Sequence, residues 1–186
     1  MIVTERLRLR PWSDDDIDAF TRHNANPQIM RHFPSVMTRA QTAGTVRRWQ
    51  REFERYGFTF FAAELRKTRE FIGVIGPAWH AHASPFAPAV EIGWRLHPDY
   101  WGEGYATEGA LASIAFMFDR GTTEIVAVTE PDNVASRAVM ERVGMMQDLD
   151  GNFAHPMGGD IHVLYRIDRA TFNAKFPDHD LYALEP

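Results

Sequence analysis

The hydrophobic and polar positions of this chain follow two different periods in turn. Residues 4–10 alternate apolar and charged side chains with a period of two, which predicts an opening β-strand. Residues 39–56 instead place apolar side chains at helical spacing, and Thr38 with Gln41 forms a capping-box pattern in front of them. Gly57 is the predicted end of that helix, because glycine tolerates the left-handed conformation that commonly follows a last helical turn.

The remaining segments continue this succession of strands and helices. Further strands are predicted at residues 58–65, 71–75, 89–96, 124–129, 145–149 and 161–167. Helices are predicted from Ser13 to about His23, from Thr107 to about Asp119, and from the capping residue Asn133 to Gly144, and residues 80–88 are predicted to form a loop. Strands that alternate with helices, with no internal repeat or low-complexity linker, favour one mixed α/β domain.

The composition is that of an ordinary globular protein. With 186 residues the chain is long enough to bury a core of its own, and its 45% hydrophobic and 24% charged residues do not suit a disordered or fibrous protein. Charged residues or glycines interrupt every hydrophobic stretch, so no membrane span is expected. The N-terminus has no basic segment followed by an apolar one, which makes the cytoplasm the expected location.

Charge and side-chain chemistry narrow the function classes further. A net charge of −5 argues against a nucleic-acid binder. The absence of cysteine excludes a disulfide framework, a thiolate metal site and an acyl group carried on a protein thiol. Since no pair among the eight histidines stands at metal-ligand spacing beside carboxylates, no metal site is expected; the histidines considered are His80, His82, His155 and His162.

A glycine-containing loop between a predicted strand and a predicted helix is the clearest sign of chemistry. Within residues 101–106, Gly102 and Gly104 let the backbone approach a phosphate, and the helix start near Thr107 offers free N–H groups with a partial positive charge. An ordinary strand-to-helix turn is the alternative, because Gly-x-Gly alone is a weak signal. A Rossmann fingerprint fails on its position, and the chain contains neither a P-loop nor a serine-hydrolase elbow.

Four ordered motifs resemble the GNAT acetyltransferases, and more narrowly the RimJ/RimL-type branch of that superfamily. They are Thr4-x-Arg6-Leu7-x-Leu9-Arg10; Glu91-Ile92-Gly93-Trp94-Arg95-Leu96-His97-Pro98 leading into Trp101-Gly102-Glu103-Gly104-Tyr105-Ala106-Thr107-Glu108; Asn133-x-x-Ser136-x-x-Val139-Met140-Glu141-Arg142-Val143-Gly144-Met145; and His162-Val163-Leu164-Tyr165-Arg166. The best-known members of the branch acetylate the N-termini of ribosomal proteins.

The resemblance implies the GNAT fold, of α/β (α+β) class, as a single domain over residues 1–186 with a core at 3–168 and a C-terminal tail at 169–186. The implied sheet is mostly antiparallel, has about seven strands that splay open in the middle, and carries about four helices. Acetyl-CoA would lie in the wedge between the strands at 89–96 and 124–129. The implied cofactor-binding residues are Trp94, Arg95, Leu96, Trp101, Gly102, Glu103, Gly104, Tyr105, Ala106, Thr107, Asn133 and Ser136.

The resemblance also implies direct attack by the amine, and two residues are candidates for the proton transfers. Glu91, on the strand beside the expected thioester, is the candidate general base, and a surface or salt-bridged glutamate is the alternative. Many superfamily members carry an acid tyrosine where this chain has Met140, and Ser136 is the replacement that the branch suggests. The alternative for Ser136 is a hydroxyl bonded within its own helix. Tyr165 is more simply a core strand residue, and a backbone N–H of residues 94–96 is expected to polarise the thioester carbonyl.

The expected function is therefore acetyl-CoA-dependent N-acetyltransfer to a primary amine, either a protein N-terminus or a small molecule. Two other functions stay open. An acyl-CoA-binding regulatory module without turnover is favoured by Met140, and an acyltransferase with another short acyl-CoA is favoured by Arg95 near the acyl end. Neither a nucleic acid nor a membrane is an expected partner, and a homodimer is a common assembly in the superfamily.

Overall fold

A computed structural model describes residues 1–80, 84, 86–154, 160–177 and 180–185. His82, His155 and much of the loop predicted at 80–88 lie outside the described residues. The described strands are β1 Ile2–Val3, β2 Leu7–Arg10, β3 Phe61–Leu65, β4 Phe71–His80, β5 Ala89–Leu96, β6 Glu124–Thr129, β7 Met146–Ala154, β8 Ile161–Asp168 and β9 Ala183–Leu184. The described helices are α1 Ile17–Asn24, α2 Arg39–Tyr56, α3 Tyr105–Asp119, α4 Val134–Arg142 and α5 Arg169–Lys175, with short 3₁₀ turns at Asp14–Asp16 and Pro98–Tyr100.

All nine described strands form one open sheet in the order β7-β8-β6-β5-β4-β3-β2-β1-β9. Every described pair is antiparallel except β5 with β6, which run parallel. That pair is hydrogen-bonded only where Val90 meets Ile125 and Glu91 meets Val126. Beyond these positions the two strands separate, so residues 92–96 of β5 have an edge that no described strand covers. The separation opens a wedge in the middle of this mixed α/β sheet, as the resemblance implies.

Helices cover the sheet on both faces, and the two faces have separate hydrophobic clusters. On one face α3 packs against strand residues such as Ile75 and Ile92. A Cβ built on Gly109 of α3 would lie 2.7 Å from Cδ1 of Ile75, so glycine is what allows the close approach of this helix. On the other face α1 and α2 bury an aromatic cluster; it contains Trp12, Phe20 and Trp49 packed on Ala62 and Val74.

Several predicted elements are confirmed at their bounds. Helix α2 begins after Thr38, whose Oγ1 accepts a hydrogen bond from the Gln41 N–H at 3.3 Å, and it ends at Gly57 with φ of 74°. Strands β5 and β6 also occupy their predicted residues. Helix α3 begins two residues before the predicted Thr107, because Gly104 already takes the position that precedes the first helical residue.

Other elements differ from the prediction. Of the strand predicted at 4–10, only Leu7–Arg10 is a strand, since the N–H of Thr4 bonds to the Leu7 carbonyl at 3.0 Å and closes a turn there; a separate short strand, β1, precedes the turn. Strand β3 starts at Phe61 rather than at residue 58, and β4 runs five residues beyond Ile75 to His80. The segment at 169–186 contains α5 and the edge strand β9, which pairs with β1.

A network of charges fixes the N-terminal segment to the sheet. The guanidinium of Arg10 donates to both Asp16 oxygens at 2.6 and 2.7 Å and to Glu64 at 2.6 Å. Burial acts to raise the pKa of Asp16, but the hydrogen bonds from Arg10 and from the Ser13 N–H outweigh it and lower that pKa below its usual range. A carboxyl whose pKa is lower in the folded state stabilises the fold above its unfolded pKa of about 3.9, and the contribution is lost as the pH falls through the folded value.

We expect Asp16→Asn to reduce the free energy of unfolding by about 2 kcal/mol at pH 7, because it removes a charge-assisted pair that is largely buried. The difference between wild type and variant should shrink below about pH 4, where Asp16 of the unfolded chain is protonated first and the folded carboxylate follows as the pH falls through its own lower pKa. Urea unfolding at several pH values measures both effects. Asp18→Asn is the matched control: Asp18 meets Arg39 at 2.9 Å with both side chains about two-thirds exposed, and its loss should cost at most about 0.5 kcal/mol. Equal losses in the two variants would contradict the prediction.

Candidate active site

The wedge between β5 and β6 opens into two connected cavities. The larger, of about 1090 Å³, runs from the loop before α3 along β5 to the start of α4. The smaller, of about 500 Å³, lies beyond it on the α1–α2 side of β5 and contains Glu91. Seven residues line both cavities and so mark their junction; they are Arg31, His32, Phe33, Trp94, Arg95, Asn133 and Ser136.

The uncovered edge of β5 offers backbone hydrogen-bonding groups to the larger cavity. The N–H of His97 bonds to Ile72 on the β4 side at 2.9 Å, whereas the carbonyl of Leu96 accepts from Trp101 Nε1 at 2.8 Å on the opposite side. Since backbone groups of an antiparallel strand alternate between its two edges, the N–H and carbonyl of Trp94 face the same open edge as those of Leu96. An extended ligand can therefore bond to β5 here as an added strand would.

The loop before α3 forms an anion-binding end of the larger cavity. Gly102 and Gly104 have φ of 79° and 83°, a left-handed conformation that side chains rarely adopt. Gly104 precedes the first helical residue and brings no side chain to cap the helix, so the N–H groups of the first turn keep their hydrogen-bonding capacity. These N–H groups carry the positive end of the helix dipole, which suits a phosphate.

Polar contacts from the N-terminal segment hold this loop in place. Glu108, in the first turn of α3, accepts from Thr4 Oγ1 at 2.5 Å, from the Arg6 N–H at 2.8 Å and from Arg6 Nε at 2.6 Å. The Arg6 guanidinium also donates to the carbonyl of Glu103 at 2.9 Å and lies 4.5 Å from the centre of the Tyr105 ring. The N-terminal motif thus contributes to the site through the loop that it supports.

Cationic side chains add to the positive character of the larger cavity. Arg31 lies over the Trp101 ring at 5.2 Å, and Arg142 lines the wall formed by α4. Trp101 itself is 40% exposed, so its ring is a flat surface at the mouth of the cavity.

Two residues of α4 stand at the junction of the cavities. Asn133 caps the helix, its Oδ1 accepting from the Ser136 N–H at 3.2 Å. The hydroxyl of Ser136 donates to no group in the described part of the chain, and it lines both cavities. The predicted alternative, a hydroxyl bonded within its own helix, is not the arrangement that α4 has.

Glu91 lies at the point where β5 and β6 separate, and its side chain enters the smaller cavity. Its Oε2 is 3.1 Å from Nδ1 of His80, and the glutamate side chain is 18% exposed. This contact orients the carboxylate and is also the kind of pairing that the salt-bridged alternative predicts, while the side chain lines the smaller cavity.

Of four further positions that the sequence singles out, Glu103, Tyr105 and Tyr165 lie away from the cavity walls, and Met140 does not. Glu103 and Tyr105 belong to the loop and the first turn of α3 but do not line either cavity; Glu103 contributes its carbonyl to Arg6 instead. Met140 is buried and reaches the smaller cavity. Tyr165 is 1% exposed and directs its hydroxyl to Arg137 and Glu141, as expected of a core strand residue.

One polar pair at the junction of the two cavities is not predicted from the sequence. Nδ1 of His32 lies 2.5 Å from Oε2 of Glu130, and Oδ1 of the exposed Asp132 is 4.0 Å from the same nitrogen. His32 stands in the segment between α1 and α2, which carries no recognisable motif, and 98 residues separate it from Glu130. The one available signal is that Glu130 follows β6 directly, at the wedge end of that strand.

These features match a known family. A family model described as acetyltransferase (GNAT) domain matches residues 6–146. The chain belongs to the GNAT acetyltransferases. It is therefore an acetyltransferase whose acetyl donor is acetyl-CoA, and it acts on an amine.

Individual relatives agree with this assignment. The chain is 32% identical over 146 residues to the uncharacterized protein YkkB of Bacillus subtilis (strain 168), covering 77% of this chain and 84% of that one. An acetyltransferase structure from Agrobacterium tumefaciens str. C58 superposes with a TM-score of 0.76 at 28% identity, over 90% of this chain and 93% of the other. RimL, the ribosomal L7/L12 alpha-N-protein acetyltransferase solved with coenzyme A, superposes with a TM-score of 0.73 at 20% identity, over 89% and 96% of the two chains, a likeness of fold.

Among the described residues, none of the helices combines the length and the hydropathy needed to cross a bilayer.

Proposed function

We propose that this acetyltransferase transfers its acetyl group directly to a primary amine that enters through the smaller cavity. The observation that carries the proposal is the junction of the two cavities. One cavity leads from there to the anion-binding start of α3, and the other leads to the carboxylate of Glu91. Donor and acceptor can thus approach one another from opposite sides of β5.

The larger cavity fits acetyl-CoA in both shape and chemistry. The pyrophosphate would bind at the end of the cavity formed by Gly102 and Gly104, whose backbone is in the left-handed conformation. The first N–H groups of α3, from Tyr105 to Thr107, would donate to it there. Its middle is the open edge of β5 at Trp94 and Leu96, which can bond to the pantetheine amides. The acyl end would reach Asn133 and Ser136 at the junction. Bound there, acetyl-CoA supplies an acetyl group activated as a thioester.

Glu91 serves as the general base in this proposal. A primary amine is mostly protonated at pH 7, and formation of the amide bond requires that nitrogen lose its protons. The Glu91 carboxylate, held by His80 Nδ1, faces the cavity from which the amine arrives. It accepts the two protons in turn, directly or through a water molecule. One leaves the site by way of the cavity mouth, and the other replaces, through water, the proton that passes to the sulfur.

Ser136 serves as the acid. As the new C–N bond forms, the C–S bond breaks and the sulfur requires one proton. The Ser136 hydroxyl lies at the cavity junction without a partner in the described chain, so it is available to donate to sulfur and then recover a proton from water. The N–H of Trp94, on the open edge of β5, is the candidate donor to the thioester oxygen.

The experiment that tests the proposal is a CoA-release assay over a panel of amines, with mass spectrometry of the products. The panel comprises short peptides with different N-terminal residues, polyamines, aminoglycosides and amino acids. Because the chain has no cysteine, a thiol reagent detects released CoA without a background from the protein. We expect at least one amine to release CoA above the amine-free rate and to gain an acetyl group. Tight acetyl-CoA binding without turnover on any amine would favour the regulatory module instead.

A further inference from the structure

Arg95 is a buried cation at the junction of the two cavities. It lies on β5 on the same face as Glu91, directed toward α1 and the segment that follows it. Its Nη2 donates to Asn24 Oδ1 at 2.8 Å, and its Nη1 lies 3.0 Å from the sulfur of Met30. Its Nε is buried and has no hydrogen-bond partner.

No carboxylate of the described chain pairs with this guanidinium. Two other arginines on strands of the sheet, Arg10 and Arg166, do have such partners. Arg10 is bound by Asp16 and Glu64, and Arg166 is bound by Asp148 and Glu124. The two groups that Arg95 contacts by hydrogen bonds are a neutral amide and a thioether, and the thioether is a weak acceptor.

The charge of Arg95 is consequently poorly compensated. Burial lowers the pKa of Arg95 to about 10, which still leaves the side chain protonated at neutral pH. Burial, together with the nearby charges of Arg95 and His97, lowers the pKa of the neighbouring His23 to about 3, so His23 stays neutral and offers no counter-charge. The net cost of an unpaired buried ion is several kcal/mol even after relaxation of the surroundings.

Aromatic neighbours recover part of that cost. The guanidinium carbon lies 5.5 Å from the centre of the Phe20 ring and 4.7 Å from that of Phe33. Each such cation–π contact offsets part of the cost of burial without occupying an N–H donor. The rings therefore pack beside a guanidinium that still lines both cavities, where an anion can approach it.

We infer that Arg95 binds a carboxylate of the substrate, so that the enzyme takes either an amine acceptor that carries a carboxylate or an acyl donor that ends in one. The inference rests on the proposed function, since it identifies the substrate class for the same junction. A carboxylate matches the planar fork of a guanidinium, and charge-assisted pairs of this kind are among the stronger hydrogen bonds in proteins. Binding at Arg95 would supply the counter-charge that the described chain lacks and place the anion beside the reacting centre.

The test compares probes that differ only in the carboxylate, using the full-length protein. The acceptor arm measures binding of glycine, β-alanine and L-leucine, each against its own amide, to protein saturated with CoA. The donor arm measures binding of succinyl-CoA against butyryl-CoA, whose acyl chain ends in a methyl group where the succinyl chain ends in a carboxylate. Calorimetry gives the ratio of the two dissociation constants within each protein, so the ratio does not depend on how a variant binds CoA.

In the wild type we expect the carboxylate probe to bind about 10-fold to 100-fold more tightly than its neutral partner in one of the two arms, which identifies the source of the carboxylate. Arg95→Met, which keeps an unbranched apolar stem, should bring that ratio close to one. Arg95→Lys should retain part of the preference, because it keeps the charge without the fork. Thermal unfolding of both variants controls for folding.

A wild type without a carboxylate preference in either arm would overturn the inference, and so would a preference that Arg95→Met leaves unchanged. Because the readout is binding, neither result depends on turnover. A failure of the proposed function is a separate result, in which the protein binds neither acetyl-CoA nor CoA.

Discussion

Gly104→Glu is expected to weaken acetyl-CoA binding by about 100-fold or more, equivalent to about 2.7 kcal/mol. Gly104 has φ of 83°, so any side chain strains the backbone that aims the first N–H groups of α3. The new carboxylate would stand at the anion-binding end of the cavity and repel the pyrophosphate. Calorimetric titration of acetyl-CoA into wild type and variant measures the loss.

A matched control is available on the same helix. Gly121 follows the C-terminus of α3 with φ of 99°, and a Cβ there would meet nothing within 4 Å. Gly121→Glu therefore brings a comparable backbone strain and the same charge at a position outside both cavities, and its acetyl-CoA affinity should match the wild type. Equal losses in the two variants would mean that strain alone weakens binding. If Gly104→Glu bound acetyl-CoA as tightly as the wild type, the loop at 101–106 would not be part of the cofactor site.

Glu91→Gln is expected to lower kcat by about 100-fold or more once an acceptor is known, because proton acceptance by a positioned base contributes about that much. The amide keeps the size of the side chain and can still bond to His80, so the fold at the β5–β6 junction should persist. The affinity for acetyl-CoA should fall far less than kcat, since Glu91 lines the smaller cavity and not the larger one. Steady-state kinetics with the CoA-release assay separates these quantities.

The control for Glu91 is Glu54→Gln, which removes the same charge from an exposed position of α2. Its kcat should equal that of the wild type. If Glu91→Gln also turned over at the wild-type rate, Glu91 would be a glutamate that serves only to hold His80, and the base would have to be sought elsewhere at the junction.

The elements nearest the site are those that the sequence predicts best. Helix α2 has its capping residues, β5 and β6 have β-branched or apolar runs of the right length, and the loop at 101–106 has its two glycines. Each of these signals is local, so it can be recognised within a window of a few residues. The same holds for the family motifs, which are short runs in a fixed order.

What the sequence leaves undetermined depends on contacts between distant segments. Helix α5 is only seven residues long, and β9 contributes two residues that are strand only because β1 lies beside them. The pairing of His32 with Glu130 and the direction of the Arg95 side chain require the segment between α1 and α2 to fold over β5. No residue pattern within that segment indicates where it will lie.

The support of the cofactor loop by Thr4 and Arg6 couples the wedge in the middle of the sheet to the edge formed by β1 and β9. These residues join β1 to β2, and β1 pairs with β9, while the N-terminal amine donates to the carbonyl of Glu185 at 2.6 Å. A ligand that orders the first turn of α3 therefore favours the conformations in which this edge is closed, and by thermodynamic linkage a closed edge favours the ligand. Occupancy of the wedge would then slow hydrogen exchange at the chain termini, and an extension fused to Met1 would act on ligand affinity from the far side of the fold.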